Sequence, residues 1–142
     1  KVLIVMVDIN TEKLTNKIQE YRDDGKSCSQ SVLTAICTEL DCQLNENQLL
    51  GLGKGFSGGI GGTFDEGTCG ALTGAIIAVG LLLPDEPQKN VAISKQLLKF
   101  FQEEYDTLQC GKLTDNGNDK SICDPCCQFV GEKFSELAKD LL

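Results

Sequence analysis

The sequence predicts an all-α fold: a compact bundle of about five to six helices, with a glycine-rich loop before a buried central helix. Three observations predict it. Apolar residues recur at helical spacing along most of the chain. Helix-start signals stand ahead of those stripes. A glycine-rich run stands ahead of a stretch that is apolar nearly all round, as a loop before a central helix.

Segment 11–23 is charged and weakly periodic, with Leu14, Ile18 and Tyr21 on one side. A second helix starts at Ser27. Ser27 with Gln30 fits a capping box, in which the serine oxygen and the glutamine side chain satisfy each other's backbone N–H groups. Val32, Leu33, Ile36, Cys37 and Leu40 follow at helical period. Asn45 to Gln48 opens a short third helix through Leu49, Leu50 and Leu52.

Eleven of the fifteen glycines then fall between Gly51 and Gly80. The run Gly58, Gly59, Ile60, Gly61, Gly62 predicts a loop, because each glycine inside a helix costs about 0.8–1 kcal/mol. Segment 68–83 reads as a helix that is apolar nearly all round, capped at Thr68 and stopped by Pro84, so it takes the central place. Segment 86–108 reads as a long amphipathic helix with Val91, Leu98, Phe101, Tyr105 and Leu108 on one face. It is expected to end near Cys110 and Gly111, with the glycine as its cap. Residues 114–120 form a polar turn. The last helix has Asp124 as its expected cap and Pro125 at its first position, then a stripe of Phe129, Val130, Phe134, Leu137 and Leu141.

The 142 residues are close to the ~150 of one domain, and residues 1–142 are read as a single helical domain. The net charge of −8 opposes nucleic acid and anionic membrane surfaces. The absence of His removes the usual general base and every imidazole metal ligand. The longest apolar run, 71–83, is about 13 residues, short of the ~18–20 of a membrane span. The apolar run 2–7 is too short for a signal core with its cleavage site. A cytoplasmic location is therefore the expectation, and in a reducing compartment clustered cysteines point to metal or redox chemistry more than to staples.

Eight cysteines carry the chemistry. Cys28 follows the Ser27 cap, Cys69 follows Thr68, and Cys126 and Cys127 follow Asp124. Free N–H groups at helix starts favour thiolates, but one helix dipole is worth only about 0.3–1 kcal/mol. A bound metal deprotonates a thiol outright. Several helix starts converging on one metal would help offset an anionic cluster. Cys37 lies on an apolar stripe and reads as a core residue, and Cys42 follows a helix end as an ordinary core or surface thiol. Cys123 and Cys126 form a C-x-x-C without the βαβ context of a thioredoxin site, and a zinc ribbon needs two such pairs. Periodicity does not choose between Cys126 and Cys127. Gly53, Gly55 and Gly58 match G-x-G-x-x-G, but a helix rather than a strand is expected before them, so dinucleotide binding is rejected. Adjacent Asp65 and Glu66 read as a solvated turn.

Cys69-Gly70-Ala71-Leu72-Thr73-Gly74 resembles the CGAxxG motif of the C_GCAxxG_C_C family of redox-active proteins. The likeness extends over about residues 25–137. Gly25 to Val32 resembles the family's first cysteine segment, Gly55 to Gly61 its glycine loop, Cys110 its third cysteine, and Cys126 to Val130 its last. The resemblance implies Cys28, Cys69, Cys110 and Cys126 as metal ligands, the Cys-x-x-Phe-Val pattern favouring Cys126 over Cys127. Cys37, Cys42, Cys123 and Cys127 are extra, and no haem attachment sequence is present.

The leading expectation is electron transfer or redox sensing through one iron–sulfur cluster on four thiolates. Gly58, Gly59 and Gly61 would let backbone N–H groups approach the cofactor; tight helix packing is the plain alternative for these glycines. A metal-free dithiol–disulfide oxidoreductase, attacking through Cys69 or Cys126, is the second expectation. A zinc- or disulfide-stabilised binding protein is the third. The sequence leaves enzymatic activity, the redox partner protein and the oligomeric state open.

Overall fold

The computed structural model describes residues 9–141, with side chains to residue 139. The 2–7 run and the Leu141 side chain lie outside the described part. Seven helices and no strand are found among the described residues, so the fold is all-α with slightly more helices than expected. They are α1 (Thr11–Asp23), α2 (Cys28–Leu40), α3 (Glu46–Lys54), α4 (Gly70–Leu82), α5 (Pro87–Tyr105), α6 (Cys110–Thr114) and α7 (Cys123–Leu141).

The first three helices start as their sequence signals require. Asn10 caps α1, accepting from Lys13 N–H, and both capping boxes, Ser27 with Gln30 and Asn45 with Gln48, are closed. Helices α2 and α4 share the centre. Every residue of α2 from Ser29 to Cys37 is buried, its polar Ser29, Gln30, Ser31 and Thr34 included. Polarity alone hid that degree of burial. Ser29 Oγ donates to the Gly53 carbonyl at 2.6 Å and Gln30 Nε2 to the Leu50 carbonyl at 3.1 Å, so α3 satisfies two of these polar side chains.

Around this pair, α1 lies along α7, held by the Thr11–Ser135 hydroxyl pair at 2.6 Å and by Gln128 Nε2 donating to the Thr15 carbonyl at 2.9 Å. A Cβ at Gly131 would lie 2.6 Å from Ile18 Cδ1, so the two helices meet closely there. Phe101, Tyr105 and Phe129 form an aromatic cluster that seats α5 on α7.

Four expectations are corrected. Helix α4 starts at Gly70 with Cys69 as its cap residue, not at Thr68, because Thr68 forms an antiparallel bridge with Gln109 instead. The buried face of α5 is Ile93, Leu97 and Phe101, whereas Val91 and Leu98 are 64% and 41% exposed. The helix is turned by about a quarter from the expected face at 100° per residue, since two neighbouring stripes are both apolar. It also ends at Tyr105 on a left-handed Asp106, and Cys110 opens the separate α6 with Gly111 inside it. Finally, α7 begins at Cys123. Asp124 and Pro125 thus lie inside its first turn, and Cys126 and Cys127 follow deeper in the helix.

Candidate functional site

The helix starts bring the cysteines together. Cys28 is the first residue of α2, Cys69 the cap of α4, Cys110 the first residue of α6, and Cys123 the first residue of α7. All four line one cavity of about 360 Å³, and Cys126, one turn into α7, lines it too. Cys69 and Cys110 are each 6% exposed and Cys126 is fully buried, while Cys28 is half-buried.

Two devices set this arrangement. The first is the pair Gly70 and Gly74, one turn apart on α4. A Cβ at Gly70 would stand 3.0 Å from Ser29 N, and one at Gly74 2.6 Å from Ser29 O. Only glycine lets α4 come this close to the first turn of α2, which carries Cys28 beside Cys69. The second is the short bridge between Thr68 and Gln109. Cys69 N–H donates to the Leu108 carbonyl at 2.7 Å and Cys110 N–H to the Gly67 carbonyl at 2.9 Å, pinning these two cysteines to one register.

The glycine loop forms another wall. Gly58 lines the cavity with φ 56°, a left-handed conformation that suits glycine. Gly59, buried at φ 85°, has no room for a side chain, since a Cβ would collide with the Glu66 carbonyl and lie 3.1 Å from Cys110 Cβ. Gly61 meets nothing within 4 Å, so its left-handed φ of 62° serves the turn alone. Gly53, Gly55 and Gly58 of the G-x-G-x-x-G match run from the end of α3 into turns, with no strand before them.

Within the cavity four of the five thiols lie in two pairs. Cys28 Sγ reaches the Cys123 carbonyl at 3.9 Å, and the two thiols are in contact. Cys69 touches Cys126, whose surroundings include Tyr105. The hydrogen bond to Cys126, then burial, holds Cys69 well above the usual thiol range. Contact with Cys28, then burial, raises Cys123, and burial foremost raises Cys110. For Cys28, the bond from Cys123 favours the thiolate, but Cys127 and burial outweigh it and the thiol is raised. Without a cation, Cys28, Cys69, Cys110 and Cys123 are held toward the protonated form. No three Cys, Asp or Glu side chains among the described residues form a group that would hold a single metal ion.

The remaining cysteines divide. Cys127 is fully buried in the core, beside Cys28 but off the cavity lining. Cys37 is buried in the core as expected, with half-buried Cys42 beside it at the far end of α2. Cys123 is the cavity thiol that the sequence reading set aside. Its C-x-x-C spacing to Cys126 was the available signal.

Arg22 ties the rim. Its Nε donates to Asp124 Oδ1 at 2.7 Å and its Nη1 to the Lys26 carbonyl at 3.0 Å, joining the end of α1, the turn into α2 and the start of α7. The Arg22 hydrogen bond keeps the Asp124 carboxyl below its ordinary range. Asp65 and Glu66 are exposed, as expected of a solvated turn. No helix among the described residues is long and apolar enough to cross a membrane.

No curated protein and no solved structure matches the chain. Residues 26–138 match the C_GCAxxG_C_C family, described as "Putative redox-active protein". This span runs from the residue before the Ser27 cap to the last turns of α7 and takes in every cysteine of the cavity. The chain belongs to the C_GCAxxG_C_C family.

Proposed function

We propose that the protein is an electron-transfer or redox-sensing module that holds one iron–sulfur cluster through Cys28, Cys69, Cys110 and Cys126. The observation that carries this reading is that these four thiols, from four helices distant in sequence, line one cavity. The chemistry of the donor set supports this reading, although no three of the described side chains are grouped to hold a single ion. Thiolates are the donors that iron–sulfur clusters take. Gly58 and Gly62 bring backbone to the cavity wall without side chains, which suits N–H contacts to cluster sulfur. The starts of α2, α4 and α7 face the cavity, each contributing about 0.3–1 kcal/mol toward negative charge. A cluster would supply a one-electron couple; the chain supplies ligands, burial and N–H donors that tune it. The reading implies a compartment that keeps thiols reduced, such as the cytoplasm.

The thiol contacts favour a second reading, a metal-free dithiol–disulfide oxidoreductase working through Cys69 with Cys126 or Cys28 with Cys123. Anaerobic purification separates the two. The first reading expects a brown protein with stoichiometric iron and acid-labile sulfide, both lost on Cys69→Ser. A colourless, metal-free protein whose thiols oxidise and reduce in pairs would replace it with the second. Zinc in place of iron would make the site structural.

A further inference from the structure

The cavity mouth has a charge opposite to that of the molecule. The chain has 21 acidic and 13 basic residues. Yet the ionisable residues other than cysteine that line the cavity are Arg22, Lys26, Lys54 and Lys120, with no Asp or Glu among them. They come from four segments: the last turn of α1, the turn into α2, the end of α3 and the turn before α7. Arg22 and Lys26 are paired with Asp124 and Asp24, at 2.7 and 3.6 Å. Lys54 and Lys120 are exposed and have no carboxylate partner among the described residues, Lys120 lying over the Phe64 ring at 4.6 Å.

We infer that this mouth docks the acidic surface of a protein partner that exchanges electrons with the cavity. The inference rests on the cavity being the redox site, and it holds for either a cluster or a dithiol. A net charge of −8 repels acidic proteins at long range, so the unpaired Lys54 and Lys120 at the mouth favour the approach that brings an acidic surface over the thiols. Cations spread over four segments match a surface bearing several carboxylates better than one small anion. Electron-exchange encounters are small and transient, and charge steering suits them.

The test uses the reduced full chain and follows alkylation of Cys28, Cys69 and Cys110 by neutral iodoacetamide, resolved by peptide mass. Poly-L-glutamate, as an acidic polypeptide, is expected to slow labelling at low salt by about tenfold, the low end of electrostatic focusing. The protection should vanish near 1 M salt, where the Debye length is about 3 Å. Poly-L-lysine should not protect, although net charge alone would favour it. Lys54→Glu with Lys120→Glu should abolish protection while helix content stays unchanged, and Lys95→Glu, an equal charge change on exposed α5, should not. Absence of protection, or protection that survives the double substitution, overturns the inference. Equal protection by inorganic phosphate would make the mouth a small-anion site and overturn it as well. Iron and sulfide analysis decides the cluster reading separately, since labelling is read on the metal-free chain.

Discussion

A Cβ on Gly74 would stand 2.6 Å from the Ser29 carbonyl oxygen. That contact explains why the CGAxxG motif carries two glycines one turn apart. They are not a cofactor loop; they are the surface on which the first turn of α2 rests. The cysteine at the head of the motif is thereby held beside the cysteine at the head of α2.

Gly74→Ala should therefore destabilise the fold although alanine is the better helix former. Overpacking costs about 1–3 kcal/mol, against about 1 kcal/mol gained in helix propensity. Gly80 on the same helix meets only Asn90 Nδ2 at 3.7 Å, so Gly80→Ala should be neutral or stabilising by up to about 1 kcal/mol. Urea midpoints of the two variants should move in opposite directions. A common shift would mean that the α2–α4 approach relaxes freely.

The adjacent cysteines of α7 should separate by phenotype. Cys126 lines the cavity and Cys127 is packed into the core. Cys126→Ala should lower bound iron, whereas Cys127→Ala should keep it at a cost in stability of about 1–2 kcal/mol. Cys37→Ala should also keep it, since nine residues of helix rise place Cys37 about 13 Å from Cys28. Iron per chain and urea midpoint, measured on the same preparations, distinguish ligand loss from packing loss. Equal iron loss at Cys126 and Cys127 would contradict this division.

Thr34 is the buried polar residue of α2 left unpaired: its Oγ1 has no hydrogen-bond partner among the described residues. A buried hydroxyl left unpaired costs about 1–3 kcal/mol, and valine keeps the shape without it. Thr34→Val should raise the thermal midpoint. A fall would mean that the hydroxyl is paired with bound water or with the Gln30 carbonyl one turn earlier.

The helices were legible where side chains signal locally. Ser27 with Gln30 and Asn45 with Gln48 declare starts on their own, and α1 spans the expected residues. The α5 face was not legible, because Val91 and Leu98 form a stripe as apolar as Ile93 and Leu97, and only tertiary packing chooses between them. The start at Cys123 was hidden for another reason. Asp124 looks like a cap, but its carboxylate is taken by Arg22, some hundred residues earlier in the chain. Gathering of Cys28, Cys69 and Cys110 in one cavity rests on such long-range contacts, the Gly74–Ser29 approach and the Thr68–Gln109 bridge. The motif names these cysteines without revealing why they meet.

Those gathered thiols should make the metal-free chain sensitive to alkali. Cys28, Cys69, Cys110, Cys123 and Cys37 are all raised above the ordinary thiol value of 9.0. A raised value means that the folded chain keeps protons that the unfolded chain gives up. The resulting stabilisation is complete below the unfolded thiol pKa and is lost as pH climbs through the folded one. Stability should hold from neutral pH to about 9 and then fall, each retained proton contributing a slope of about 1.4 kcal/mol per pH unit. Cys37→Ala should make the fall shallower by one such slope. In chain loaded with iron and sulfide, ligand thiols are already deprotonated, so the alkaline loss should shrink. Anaerobic urea midpoints across this range, with and without metal, provide the measurement. A metal-free midpoint that stays flat well above pH 9 would show that these sulfurs are open to water, contrary to the burial of four of them at the cavity and of Cys37 in the core.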